Sequence, residues 1–310
     1  MTIRVLVTGG AGFIGHHLVR SLLADGAQVV VVDNFSFGRR SHLEIEEITE
    51  AGRLRLHEAD LRRPDTFDLL ASFRPEIVYH LGAVHFIPYC DAHPQETLDT
   101  NVLATDLLLR RLRELDVRAL VFASTAAVYG FADHPLTEEA DPPRPGDIYG
   151  LSKWLAEELV RRFADDRPDV RTVAARLFNV FGPGETNRHL LPDLLDALRQ
   201  SREVALGNTW PRRDYTYVTD VVRALRLLAD GLAGYDVLNV STGTGSTVLD
   251  VVRTIEALSG HLITVRQDPA RVRARDGHLV SSNHRILART GWRPAYDLKR
   301  GLDELLEQEG

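Results

Sequence analysis

Tyr149 and Lys153, in the stretch GDIYGLSKWLAEELV (146–160), stand four positions apart, and so on one face of a helix. Lys153 and Lys299 are the only lysines among 37 basic residues, so composition alone is a poor explanation for a lysine one turn after a tyrosine. A phenol titrates near 10 and is a weak base at neutral pH. An adjacent ammonium stabilises the phenolate and is expected to lower that value, which fits the pair to take a proton from an alcohol. Lysine is also a compact three-donor group suited to ribose hydroxyls, a role the broad guanidinium fork does not reproduce. A third member is expected in FASTAAVYG (122–130): Thr125 as the proton-sharing partner of the alcohol, with Ser124 nearer a cofactor ring.

The cofactor is read from TGGAGFIG (8–15), with Gly9, Gly12 and Gly15 at three-residue spacing; Gly10, Gly12 and Gly15 also satisfy G-x-G-x-x-G. Glycines allow a tight turn and let the amides of a helix start approach a pyrophosphate. Three glycines are often only a turn, but this string follows a strand, opens a helix and precedes Asp33 at the end of the next strand. A carboxylate there accepts both hydroxyls of an adenosine ribose and repels a 2'-phosphate, which selects NAD; Arg39 and Arg40 keep NADP open. The positive ring of oxidised NAD is the second cation expected to acidify Tyr149. Asp60, in HEADL, suits the adenine edge or a helix N-cap, and the two are compatible.

Positioning these groups requires a sheet. Short β-branched runs (IRVLVT 3–8, QVVVVD 28–33, RLRLHEAD 53–60, EIVYHLG 76–82, RALVFAS 118–124) alternate with helical patterns, including a long one ending RRLRELD. Strands alternating with helices imply parallel pairing through right-handed crossovers, and continuous apolar strands imply cover on both faces. The rhythm breaks after RTVAARLFNVFG (171–182), and YDVLNV (235–240) returns to the sheet. The expectation is an α/β chain: a doubly wound parallel Rossmann sheet with a smaller mixed α/β C-terminal lobe at the carboxyl ends of its strands. Residues 1–182 with 219–240 form the NAD-binding part, and 183–218 with 241–310 the substrate-binding lobe.

TGGAGFIG, DNFSFG, EADL, HLGA, TNV, FASTAAVYG, YGLSK, RLFNVFGPG and RRDYTYVTD, in that order, resemble the extended short-chain dehydrogenase/reductase family, in its NAD-dependent nucleotide-sugar epimerase and dehydratase branch. The resemblance covers essentially the whole chain. It implies Thr125, Tyr149 and Lys153 as the catalytic set. It places tightly bound NAD, recycled in each turnover, on Gly9, Gly12, Phe13, Ile14 and Gly15, and on Asp33, Asn34, Phe35 and Ser36. Asp60, Leu61, Leu81, Gly82, Ala83, Asn101, Ser124, Tyr149, Lys153 and Val180 complete that set. It places the nucleotide sugar on His85, Thr125, Asn179, Leu191, Arg213 and Arg273, with the pyrophosphate held by Asn179, Arg213 and Arg273. The family's usual RPGD reads RARD here, which leaves Arg271 and Arg275 as rivals to Arg273. A homodimer through helices 94–115 and 149–165 is implied in the same way.

In this branch C4 of the sugar is oxidised and the 4-keto sugar is then used. The 4,6-dehydratases carry Asp-Glu after the threonine, whereas Ala126 and Ala127 stand here, which argues against that proton machinery. VHFIPYCDAHP (84–94) offers His85, Tyr89, Cys90 and Asp91 as a second acid or base for the C5 proton. Taken singly, His85 reads as a satisfied polar residue, Cys90 as a small buried hydrophobe and Asp91 as a helix N-cap. The chain looks like the UDP-N-acetylglucosamine 5,6-dehydratase type of tunicamycin-like antibiotic pathways. The expected activity is therefore 5,6-elimination with hydride returned to C4. The alternatives are a UDP-hexose or UDP-N-acetylhexosamine 4-epimerase, a net dehydrogenase, and an NAD-sensing Rossmann protein without chemistry.

Composition agrees with a small-molecule enzyme. A net charge of -7 gives no electrostatic reason for a nucleic-acid partner. The lone Cys90 rules out an intramolecular disulfide and a multi-cysteine metal site, so no metal is expected and a reducing, cytoplasmic location is. No secretory signal and no run of about 18 apolar residues is found, so no membrane partner is expected.

Overall fold

The computed structural model describes residues 2–44, 52–185, 190–272 and 276–309. Seven strands form the main sheet: β1 (Arg4–Thr8), β2 (Gln28–Asp33), β3 (Leu54–Glu58), β4 (Ile77–His80), β5 (Ala119–Thr125), β6 (Arg171–Leu177) and, later in the chain, Gly234–Val240. All pairs are parallel. The order across the sheet is β3-β2-β1-β4-β5-β6 and then Gly234–Val240, so the winding reverses between β1 and β4. A crevice opens there at the carboxyl ends of the strands.

The valine runs explain the layers. Successive side chains of a strand point to opposite faces: Val29 and Val31 enter one core with helix α1 (Phe13–Ala24), while Val30 and Val32 enter the other. That second core is closed by Leu108 and Leu112 of helix α2 (Ala104–Leu112) and by Ala156, Val160 and Phe163 of helix α3 (Ile148–Asp166). Each fully buried Val, Leu or Phe contributes about 1.5–3 kcal/mol, so the two apolar faces hold the sheet between its helices.

The segment RTVAARLFNVFG holds two strands: β6 ends at Leu177, and β7 (Asn179–Phe181) leaves for a separate three-stranded sheet with β9 (Arg212–Tyr217) and β11 (Gly245–Thr247). In between, β8 (Glu203–Leu206) pairs in parallel with β12 (Thr264–Gln267), the returning strand Gly234–Val240 being β10. A third core packs these small sheets against helix α4 (Leu190–Arg199), Val248–Ser259 and Leu298–Glu309. The helix expected over 94–115 is interrupted by a π-helical turn at Asp99–Leu103. There Asn101 turns its side chain to the Val84 backbone, and π-turns of this kind recur beside functional sites.

Candidate active site

The carboxyl ends of β1, β4 and β5 open on a cavity of about 1210 Å³ whose wall runs from the β1–α1 turn across to β9 and α4. At one end the glycine turn sets its shape. Gly9 has φ +69, and a Cβ on Gly15 would fall 2.1 Å from the Gly9 carbonyl oxygen. Only hydrogen fits at that contact. Helix α1 starts at Gly12 without a side-chain cap, which leaves its first amides as donors where Phe13 and Ile14 line the cavity.

Asp33 closes β2 at the same rim, its Oδ2 accepting the Ala11 amide at 2.9 Å and its Oδ1 the Phe35 amide at 2.8 Å. Burial pushes this carboxyl up, and the amides oppose it. The carboxylate is thus held beside the turn with acceptor sites left for a diol. Arg40, one of the two NADP candidates with Arg39, is paired with Glu58 and lies 4.6 Å over the Phe35 ring. Amides arranged for a pyrophosphate and a fixed carboxylate for a ribose fit NAD. Asn34, Ser36, Leu61, Leu81, Gly82, Ala83 and Val180 line the cavity. Asp60 lines it too, but its carboxylate is held by Arg62 Nε at 3.0 Å, which keeps it below its ordinary value; it makes a local turn with the Arg62 amide and is not a helix N-cap.

Two residues expected on NAD lie off the cavity wall. The Phe35 ring packs against the core under Arg40 and is not on the cavity wall. Asn101 is buried behind the wall, where it accepts the Val84 amide and donates to the Val84 carbonyl, each at 2.8 Å, and bonds Ser152 at 2.9 Å. It ties the loop after β4 to α3.

At the other end β5 finishes at Thr125, whose Oγ1 accepts the Ala127 amide at 3.2 Å. Asp147 caps α3 by accepting the Gly150 amide at 2.7 Å, and a Cβ on Gly150 would fall 2.5 Å from the Ala127 carbonyl oxygen. Glycine after Tyr149 therefore lets the helix approach, and that approach sets the Tyr149 phenol beside the Thr125 hydroxyl. Lys153 is 2 % exposed, with Nζ 4.1 Å above the Phe122 ring. Burial lowers it to about 7, with Glu157 opposing.

Within the chain, burial raises the Tyr149 phenol and the Thr125 hydroxyl lowers it in part, while Glu157 opposes the effect of burial on Lys153. Ser124 lines the cavity, but its Oγ donates to Glu157.

Of the residues expected to hold the nucleotide sugar, Asn179, Leu191 and His85 line the cavity. Arg213 lines it as well, but it is paired with Asp276, donates to the Gly277 carbonyl and lies 5.4 Å from the Phe131 ring. Asp276 also accepts Asn208 Nδ2 at 2.9 Å, so the carboxylate fixes the arginine on the wall instead of leaving it free. Arg271 is paired with Asp193 at 2.8 Å; Arg273 and Arg275 lie outside the described residues.

The four candidates for a second base separate. Burial pushes the Cys90 thiol up to about 11, and it faces the Val84 carbonyl, off the cavity wall. The Tyr89 hydroxyl donates to Glu96 at 2.7 Å and its ring stacks on His93, also off the wall. Asp91 lies inside the helix Ile87–Ala92 and is not its N-cap; it reaches the cavity and the Ile148 amide at 3.3 Å. His85 stays on the wall, edge-on to Phe37. Glu157, Arg176, Phe131 and Asp276 were not expected; of these only Glu157 carried a local signal, one helical turn beyond Lys153. Among the described residues no group of three His, Cys, Asp or Glu could hold a metal ion, and no helix is long and apolar enough to cross a membrane.

A family model described as the NAD dependent epimerase/dehydratase family matches residues 5–241. The chain is 31% identical over 330 residues to a UDP-glucose 4-epimerase of Erwinia amylovora, covering 97% of this chain and 95% of that one. Its fold is similar to the crystal structure of a Thermus thermophilus UDP-glucose 4-epimerase in complex with NAD (TM-score 0.88, 31% identity, 99% of both chains). It is also similar to MoeE5 in complex with UDP-glucuronic acid and NAD (TM-score 0.87, 34% identity, 98% of both chains).

Proposed function

The chain belongs to the NAD dependent epimerase/dehydratase family and uses NAD, and from that premise we propose that it is a 4-epimerase of UDP-hexoses. The observation that carries this reading is the pairing of Thr125 with Tyr149 on the cavity wall with no acid next in the chain; His85, Asp91 and Glu185 line the same cavity apart from that pair. Thr125 and Tyr149 meet on the cavity wall, Ala126 and Ala127 follow where another acid would stand, and Cys90 and Tyr89 are turned away. Inversion at C4 needs one group that removes and returns one proton. Elimination across C5 and C6 needs a second.

Bound NAD supplies the two-electron acceptor and donor for one sugar carbon. The chain does the rest. Thr125 orients the C4 hydroxyl, and Tyr149 Oη takes its proton and later returns it. Lys153 supplies hydrogen bonds to the ribose and charge behind the phenol. Arg213, held by Asp276, faces the sugar's pyrophosphate together with Asn179. A UDP-sugar as substrate is supported by the similar UDP-glucose 4-epimerases and by the MoeE5 complexes. The same relatives favour epimerisation over the 5,6-elimination that the sequence motifs led us to expect. A homodimer belongs to this reading: Leu103 and Leu155, on the two helices expected to pair, are 57% and 38% exposed.

Incubation of purified protein with UDP-glucose and with UDP-N-acetylglucosamine in D2O, followed by proton NMR, tests the reading. The expected product is inverted at C4, keeps its C6 hydroxyl and carries no deuterium at C5. Loss of the C6 hydroxyl would assign elimination, with His85 as the first candidate for the C5 base.

A further inference from the structure

Glu157 sits behind the site, its side chain 3% exposed and that of Arg176 6%. Arg176 reaches across from β6 and grips both carboxylate oxygens, Nε to Oε1 at 3.0 Å and Nη2 to Oε2 at 2.7 Å. Ser124 Oγ also meets Oε1, and since a carboxylate can only accept, the serine is the donor. The guanidinium lies 4.5 Å over the Tyr129 ring, whose hydroxyl donates to Asn239 Oδ1 at 2.8 Å. Nothing in this assembly can turn without breaking a buried bond. A buried ion pair of this kind is a poor way to gain stability, because apolar residues of the same shape stabilise as well or better. Its position points to the site instead, since Glu157 touches Ser124 and lies one turn from Lys153.

Resting on the 4-epimerase reading of this same site, we propose that Glu157, fixed by Arg176, is a positioning residue. It turns Ser124 so that only lone pairs face the cofactor cavity, and it keeps the charge behind the Tyr149–Lys153 pair balanced.

Lys153 is enclosed: Glu157 acts on it from its own helix, β5 brings the Phe122 ring, and β4 brings His80. His80 is bonded to Thr8 Oγ1 at 2.6 Å and Thr105 Oγ1 at 2.9 Å, and burial takes it down to about 3, so it is neutral near pH 7. The Cys90 thiol and Asp147 carboxyl stand nearer Tyr149, and the thiol stays protonated. Glu157 is thus the charged neighbour that acts on Lys153. Removing Glu157 alone leaves the Arg176 cation uncompensated, which disfavours the ammonium; removing Arg176 alone leaves the carboxylate, which favours it. A residue that merely props the helix would not give opposite signs.

The two-lysine composition makes the test direct. With [13Cε]lysine the NAD-loaded protein gives two signals, Lys153 and the exposed Lys299. Titration followed by NMR should show the Lys153 midpoint lower in Glu157→Gln and higher in Arg176→Met, each by about one pH unit. Glu157→Leu/Arg176→Met, which buries no unpaired charge, should return it to within about 0.3 of wild type. The double variant still deprives Ser124 of its acceptor, so its NAD affinity should fall about tenfold. Single variants that leave the midpoint in place or move it the same way would overturn the proposal. If neither single variant folds, the double variant decides, and a moved midpoint or unchanged NAD affinity in it would overturn the proposal. The midpoint is read without turnover, so failure of the 4-epimerase reading would appear separately, as absence of product from UDP-glucose.

Discussion

At the end of the cavity proposed for NAD the groups that matter are backbone amides and one carboxylate, held by contacts between residues close in sequence, such as Gly9 with Gly15 and Asp33 with Phe35. At the end proposed for the sugar they are side chains held by distant partners: Arg213 by Asp276, 63 positions away, and Asn208 by the same carboxylate, 68 positions away. The first arrangement tolerates almost no change in shape, because atoms already touch. The second tolerates repacking, because its geometry rests on hydrogen bonds between flexible groups. Cofactor binding is therefore expected to be brittle and sugar binding graded, with the chemistry confined to the short stretch of β5 and α3 where the two ends meet.

The strongest test of that division lies at the meeting point. Tyr149→Phe should lower turnover about 10²- to 10⁴-fold, the span of general acid–base catalysis, while NAD content measured after denaturation is unchanged. Loss of NAD as well would merge regions that are separate here. Next in size is Gly15→Ala, whose Cβ would meet the Gly9 carbonyl oxygen. Overpacking of this kind costs about 1–3 kcal/mol, roughly five- to more than a hundredfold in NAD affinity by calorimetry. Asp276→Asn should act on the sugar end alone, raising KM for the UDP-sugar about tenfold with kcat nearly preserved, as Arg213 loses its ionic partner. An equal fall in kcat would place Arg213 in the chemical step. Smallest is Cys90→Ser: a thiol held near 11 that faces the Val84 carbonyl has no part in proton transfer, so turnover should stay within about twofold between pH 6 and 9.

The same contrast explains what could be read from the sequence. Glycine spacing, an acid at the end of β2 and a tyrosine four places before a lysine are local patterns with local causes, and so are the alternating strands whose valines divide between two cores. What spacing does not carry are pairings across the chain. Asn101, expected on NAD, bonds Val84, 17 positions away, from within a π-helical turn. Arg176 gave no signal in a chain rich in arginine, although it secures Glu157, 19 positions away. Burial raises the Tyr149 phenol, an effect of tertiary enclosure that spacing does not encode. The residues after β4 looked alike as titratable groups; only folding divides His85 and Asp91, on the cavity wall, from Tyr89 and Cys90.

The central claim is that one carbon, C4, both gives up and regains the same hydrogen while Tyr149 handles one proton. Conversion of UDP-[4-²H]glucose in ordinary water tests it most directly, with the product examined by NMR and mass spectrometry. The account predicts UDP-galactose that keeps its deuterium at C4. Deuterium lost to solvent, or a modified sugar whose C4 configuration is unchanged, would contradict it.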